Sequence, residues 1–145
     1  MGGSVVTTEL TKYSLHLTTL QWEVMRQYVA TQAPLEACGL LSGKNGVVED
    51  VLLVENAARS PVRFRMEPQA QLKAFQHIET SGQELLAIFH SHPKSQSIPS
   101  DTDIKEAAYP VIHMIWSLED QRWNARGFWI EDGYAVEVPI NVQGV

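Results

Sequence analysis

Apolar and polar positions change period several times along this chain, and each change predicts an element. Tyr13–Leu17 alternates and reads as a first strand. Thr18-Thr19-Leu20-Gln21 is a capping box that opens a helix. Leu20, Val24 and Tyr28, with Met25 and Val29, form that helix's apolar face. Glu36–Ser42 and Val47–Glu55 read as a hairpin turned at Gly43-Lys44-Asn45-Gly46. Arg59–Met66 reads as a loop or short strand. Pro68 suits the first turn of a second helix, with Leu72, Phe75 and Ile78 inward and Gly82 past its end. Glu84–His90 is apolar enough to be a central strand. Ser100–Tyr109 reads as a third helix that Pro110 ends. Val111–Leu118, Trp123–Ile130 and Tyr134–Ile140 close the chain as strands, with turns at Glu119-Asp120-Gln121 and Asp132-Gly133. Helices alternate with strands early and a meander follows. The expected class is α/β, a single mixed sheet flanked by helices.

Composition narrows the classes. The chain has 145 residues, 44% of them hydrophobic, so residues 1–145 fit one domain with a sizeable core. Residues 1–12 read as a tail, led by Met1-Gly2-Gly3-Ser4. A formal charge of −6 argues against nucleic acid as a partner. One cysteine excludes an internal disulfide and fits a reducing, cytoplasmic compartment. No apolar stretch spans a bilayer, so no membrane partner is expected, and no basic then apolar start marks a signal peptide.

The chemistry concentrates in His90-Ser91-His92, Ser100 and Asp103. Alternation along an extended chain puts His90 and His92 on one face and Ser91 on the other, so Ser91 receives no catalytic role. Pro93 should stop the strand. Each residue also has a plain reading. Ser100-x-x-Asp103 resembles a capping box, and an aspartate suits a first turn. Together they are harder to dismiss, because the apolar run Leu85–Phe89 delivers two imidazoles to a strand end in the core. Buried imidazoles need partners. Two imidazoles and a carboxylate leave one position open on a tetrahedral metal, as a catalytic zinc requires. Glu36 begins an otherwise apolar strand, and spacing alone leaves open whether it is a base or a solvated charge at the strand entrance. Cys38, two positions on, reads either as a small buried hydrophobe or as a thiol that gates a nearby zinc by oxidation or ligation. His77 and His113 lie in ordinary patterns and read as structural.

Glu36, His90-x-His92, Ser100 and Asp103 at these spacings resemble the full motif of the JAMM/MPN-plus metallopeptidases. Pro34-x-Glu36-x-Cys38-Gly39-x-x-x-Gly43, Asn56, Pro61-x-x-Phe64 and Pro99-Ser100 are similar to the small prokaryotic branch. The resemblance runs from about Thr18 to Val138. It implies a cytidine-deaminase-like MPN fold and a zinc held by His90, His92 and Asp103. It also implies Glu36 as the general base and Ser100 as the oxyanion donor. The implied substrate is the C-terminal tail of a ubiquitin-like or sulfur-carrier protein. Three rivals stand beside it. One is a non-catalytic MPN scaffold for protein partners, against which the full ligand set argues. Another is a non-haem iron oxygenase, since two histidines and a carboxylate also make a facial triad. The third is a RadC-like protein linked to DNA, although no additional DNA-binding segment is apparent.

Overall fold

The computed structural model describes residues 13–107 and 110–144. The expected N-terminal tail lies outside the described residues. Among the described residues eight strands form one mixed sheet. They are β1 (Leu15–Leu17), β2 (Cys38–Lys44), β3 (Val47–Val54), β4 (Glu84–His92), β5 (Val111–Glu119), β6 (Arg122–Glu131), β7 (Tyr134–Val138) and β8 (Ile140–Val142). Among the described residues three helices join them: α1 (Thr19–Gln32), α2 (Pro68–Thr80) and α3 (Asp101–Lys105). The strand order is β7-β6-β5-β4-β2-β3-β1-β8. β4 and β5 run parallel, as do β1 with β3 and β1 with β8; the other pairs are antiparallel.

The last strand expected over Tyr134–Ile140 is two strands. Pro139 has no N–H to give a ladder, so pairing breaks there, and β7 and β8 fall at opposite ends of the strand order. One residue separates them, so the sheet must curl until its edges approach. Tyr13 stacks on Trp129 of β6 at 4.0 Å across that closure. Gly127 of β6 is where the closure is tightest: a Cβ there would lie 3.0 Å from the Ile140 side chain. The β2–β3 hairpin turns on Asn45 and Gly46, both at positive φ (54° and 78°). That is the geometry the right-handed strand twist favours, and it suits Asn-Gly.

Both long helices start as the sequence suggests but face differently. Thr18 Oγ1 accepts from Gln21 N–H (3.1 Å) and Gln21 Oε1 from Thr18 N–H (2.9 Å). Gln21 also donates to the Val48 carbonyl, pinning the first turn to β3. Trp22 packs on Trp116 at 4.5 Å. These anchors rotate α1 so that Met25 and Val29 are buried, while Leu20 stays 65% exposed and Val24 is exposed too. On α2, Glu67 caps the N-terminus through its carboxylate, and Ala74 and Ile78 are buried. Leu72, expected inward, is 53% exposed; it lies about 120° round the helix from Ile78. The third helix is shorter than expected, ending at Lys105. Residues 108–109 of the expected span lie outside the described residues, and Glu106 already leaves the helix to pair with Arg63.

The two faces of the sheet have separate cores. Ala87 and Phe89 of β4 join Met114, Trp116, Met25 and Val29 on the α1 side. Ile88 joins Cys38, Leu40, Ala74 and Ile78 under α2. Ile115, Phe128 and Ile130 pack with Ile104 under α3. His90 and His92 share the face of Ile88, so they emerge between the last two clusters. No helix among the described residues is long and apolar enough to cross a membrane.

Candidate metal centre

β4 carries both imidazoles to its end, and it stops at His92 because Pro93 cannot continue the ladder. His90 and His92 are buried. Their Nε2 atoms lie 3.1 Å apart. Asp103 Oδ2 lies 3.2 Å from His90 Nε2 and 3.0 Å from His92 Nε2. Asp103 is also the third residue of α3, and Ser100 is that helix's N-cap. Ser100 Oγ accepts from Asp103 N–H (3.0 Å), and Asp103 Oδ2 accepts from Ser100 N–H (2.9 Å). The capping box and the ligand cluster are therefore one arrangement: the cap aims the carboxylate that faces the imidazoles.

The donor set suits a cation. His92 Nδ1 lies 2.8 Å from the Gln96 carbonyl. A carbonyl only accepts, so Nδ1 carries the proton and Nε2 of the neutral ring presents its lone pair. That lone pair faces a carboxylate oxygen and a second imidazole nitrogen, an arrangement that a positive charge between them satisfies. Ligands about 2.0–2.1 Å from a tetrahedral ion are about 3.3 Å from one another, close to the three separations here. Among the described residues, His90, His92 and Asp103 are the group able to hold a metal. Phe64 stacks on the His90 ring at 4.7 Å and 24°, fixing its plane. For Asp103, burial opposes ionisation, but the facing His90 and His92 imidazoles and the Ser100 N–H overcome it and hold the carboxyl far below the ordinary range. For His90, burial outweighs the pull of Asp103 and lowers the pKa, keeping the ring in the neutral form that metal binding would require.

Glu36 is not at an exposed strand entrance. It precedes β2, is 3% exposed, and its Oε1 has no partner among the described residues. The backbone around it is fastened at four points. Glu36 N–H donates to the Ser60 carbonyl (2.8 Å). Asn56 Nδ2 donates to the Glu36 carbonyl (2.9 Å). Ala37 N–H donates to Ser91 Oγ (2.7 Å), and Ser91 N–H donates to the Ala37 carbonyl (3.0 Å). Burial pushes the Glu36 carboxyl up to about 8; His92 opposes that shift and Asp103 adds to it. The carboxyl thus feels both His92 and Asp103 while standing outside the His90–His92–Asp103 triangle.

Ser91 does point to the opposite face, as alternation requires. Its hydroxyl nevertheless positions the residue next to Glu36, a link of 54 positions in sequence that periodicity cannot reveal. Asn56 was visible only as part of the resemblance. In space it ties Glu36 to the loop that carries Phe64, also donating to the Arg63 carbonyl and accepting from Ala58 and Arg65 N–H. His77 is remote from this cluster and pairs with Asp50 at 2.8 Å. His113 is closer. It faces the same side of the sheet as His90, because it pairs with Ile88 across β4 and β5. Burial lowers its pKa to about 4, so the ring is neutral.

Cys38 is fully buried, and its Sγ donates to the Val54 carbonyl (3.4 Å). Burial and the Glu36 charge push the thiol up to about 12. A thiolate is what reacts, so iodoacetamide at pH 8 should leave the folded protein unmodified and label it stoichiometrically in denaturant. Rapid native-state labelling, followed by intact mass, would restore the thiol as a redox-accessible group.

The family model described as prokaryotic homologs of the JAB domain matches residues 21–129, and this chain belongs to that family. The CysO-cysteine peptidase of Mycobacterium tuberculosis is 35% identical over 113 residues, covering 75% of this chain and 77% of the relative. A probable TtuB-protein conjugate cleaving protease of Thermus thermophilus is 36% identical over 119 residues, covering 81% of this chain and 77% of the relative. A protein of Desulfitobacterium hafniense solved in solution is 34% identical, with a TM-score of 0.81, over 90% of this chain and 94% of that one.

Proposed function

We propose that this chain is a zinc-dependent metallopeptidase that hydrolyses a peptide or isopeptide bond at the C-terminal tail of a ubiquitin-like or sulfur-carrier protein in the cytoplasm. The observation that carries the reading is the convergence of His90 Nε2, His92 Nε2 and Asp103 Oδ2 within 3.0–3.2 Å, beside the buried carboxyl of Glu36. Relatives named as a peptidase and as a conjugate-cleaving protease support it. The two-nitrogen, one-oxygen donor set with room for a further ligand suits zinc. Zinc held by His90, His92 and Asp103 would supply Lewis-acid activation of water and of the scissile carbonyl.

The chain's own residues then divide the proton work and the charge work. Glu36 takes a proton at its carboxylate and returns it to the leaving amine. Its raised affinity for protons is the tuning such a shuttle needs. Ser100 uses its oxygen to accept from Asp103 N–H, which leaves its own proton free for an oxyanion developing on the scissile carbonyl. Phe64 and the Gln96 carbonyl hold the two imidazoles in orientation.

Replacement of His90, His92 or Asp103 by Ala is expected to lower zinc to a small fraction of the parent's and to abolish cleavage of a modifier–peptide fusion. Elemental analysis of the purified variants decides it. Full zinc in all three would remove the assignment. Stoichiometric iron in the parent would favour an oxygenase, and an inert, metal-free parent would favour a scaffold.

A further inference from the structure

On the side of the sheet that faces the metal centre, several buried side-chain atoms have no partner among the described residues. They are Glu36 Oε1, His90 Nδ1, both ring nitrogens of His113, and Ser117 Oγ. Buried polar atoms without partners are rare, so each calls for a cause. His90 is the sharpest case. Its Nε2 lies 3.2 Å from Asp103 Oδ2. In the neutral ring that nitrogen offers its lone pair to a cation, so Nδ1 carries the proton. A ligating imidazole normally donates its second ring proton to an acceptor, which fixes the ring. For His92 that acceptor is the Gln96 carbonyl, 2.8 Å from Nδ1. Fully buried His90 has no such acceptor among the described residues.

The register of the sheet narrows the choice. His90 pairs with Cys38 of β2 on one side and with Ile115 of β5 on the other. Cys38 Sγ already donates to the Val54 carbonyl, and the Ile115 side chain has no polar atom. Phe64 covers a face of the His90 ring. Diagonal neighbours on one sheet face come within reach of long and aromatic side chains. Ser117 is diagonal to His90, but its side chain is short and it pairs directly with His92. His113 is the other diagonal neighbour on β5, two residues before Ile115, and it carries a full imidazole. The electrostatic neighbours agree: His113 lies in range of His90 and Asp103, and Glu36 in range of His92 and Asp103. His113 is 4% exposed. An unpaired charge at that depth is costly, so its ring is neutral and one nitrogen accepts. The ring also lines a cavity of about 210 Å³ that reaches Asp103. A polar space of that size has room for water.

We propose that His113 accepts the His90 Nδ1 proton through one buried water, and is thereby a positioning residue that sets how tightly the centre holds zinc. The inference deepens the zinc reading above and rests on it. His90 Nδ1–H donates to the water oxygen, and the water donates to the accepting nitrogen of His113. A bridge is needed because neither ring nitrogen of His113 is within hydrogen-bond distance of His90. With its second proton satisfied, the His90 ring keeps Nε2 turned toward Asp103, where a ligand must point. His113 thus does for His90 what the Gln96 carbonyl does for His92.

The test compares the parent with His113→Leu, which has no acceptor, and His113→Gln, which keeps one. Zinc affinity is read by competition with a chromogenic chelator, beside melts of the metal-free proteins. His113→Leu should bind zinc about tenfold or more weakly, with a metal-free melt close to the parent's. His113→Gln should recover most of that affinity. A purely structural histidine would do the reverse, lowering the melt and leaving zinc affinity alone. Nuclear magnetic resonance of the zinc-loaded parent supplies a readout that needs no variant. The His90 Nδ1 proton should be present, exchange slowly and transfer magnetisation to a long-lived water. Parent-like zinc affinity in His113→Leu overturns the proposal, as does a Gln variant as weak as the Leu variant. If His113→Leu does not fold, the parent spectrum decides, and a His90 Nδ1 proton without a bound water overturns the proposal. All of these failures leave the zinc reading standing. A parent that binds no zinc removes that reading and this proposal with it.

Discussion

Glu36→Gln is expected to keep a full complement of metal and to lose turnover by about 100-fold or more. The side chain keeps its size and one carbonyl oxygen but can no longer carry a proton between water and the leaving amine. The surrounding backbone is held by Ser60, Asn56 and Ser91, none of which bonds the carboxyl group, so the fold should tolerate the change. The stability sign is also set. Burial raises the carboxyl from 4.5 to about 8. Between those values the unfolded chain releases its proton while the folded one retains it, so folding loses stability as pH rises through that window. Metal-free Glu36→Gln should therefore melt above the metal-free parent, with the gap widening from about pH 5 to about pH 8. Turnover is measured on a modifier–peptide fusion, beside zinc content and a pH series of melts. Near-normal turnover would remove Glu36 from the chemistry, and loss of zinc would make it a ligand.

What the residues disclosed and what they hid follow from the range of the interactions involved. The alternation His90-Ser91-His92 and the stop at Pro93 are local, and β4 ends at His92 with both rings on one face. Thr18 with Gln21 and Ser100 with Asp103 are three-residue devices, and both boxes are formed. The burial of Glu36 is not local. It depends on Ser60, Asn56 and Ser91 closing over it from 20 or more residues away in sequence, so its neighbours in the chain could not separate a base from a solvated charge. Helix faces failed for a related reason. Leu20 and Leu72 are apolar at helical spacing, but the Gln21 tether and the Ala74–Ile78 row decide which side meets the sheet. Pro139 carried a readable signal, since proline interrupts a ladder. What it did not reveal is that Ile140 crosses to the far edge and pairs with β1.

Ser100 separates a cap from an oxyanion donor, because two substitutions change these roles in different ways. As N-cap of α3 its oxygen accepts Asp103 N–H, while Asp103 accepts from Ser100 N–H. Ser100→Ala removes the oxygen and should cost about 1 kcal/mol of stability. If Ser100 also donates to the oxyanion, the same change should cut kcat by about 10²–10³-fold, far more than one lost cap explains. Ser100→Asp keeps a capping acceptor of equal rank but places a negative charge where negative charge develops in the transition state. The backbone N–H that holds Asp103 survives in both variants, so the ligand triangle keeps its aim and zinc should be retained. The expected Ser100→Asp protein is folded, melts near the parent, contains zinc and is nearly inactive. The measurement is kcat beside a thermal melt and elemental analysis. An active Ser100→Asp enzyme would confine Ser100 to the cap. A zinc-free one would show that the cap's hold on Asp103 is what the centre needs, and would make the serine a positioning residue.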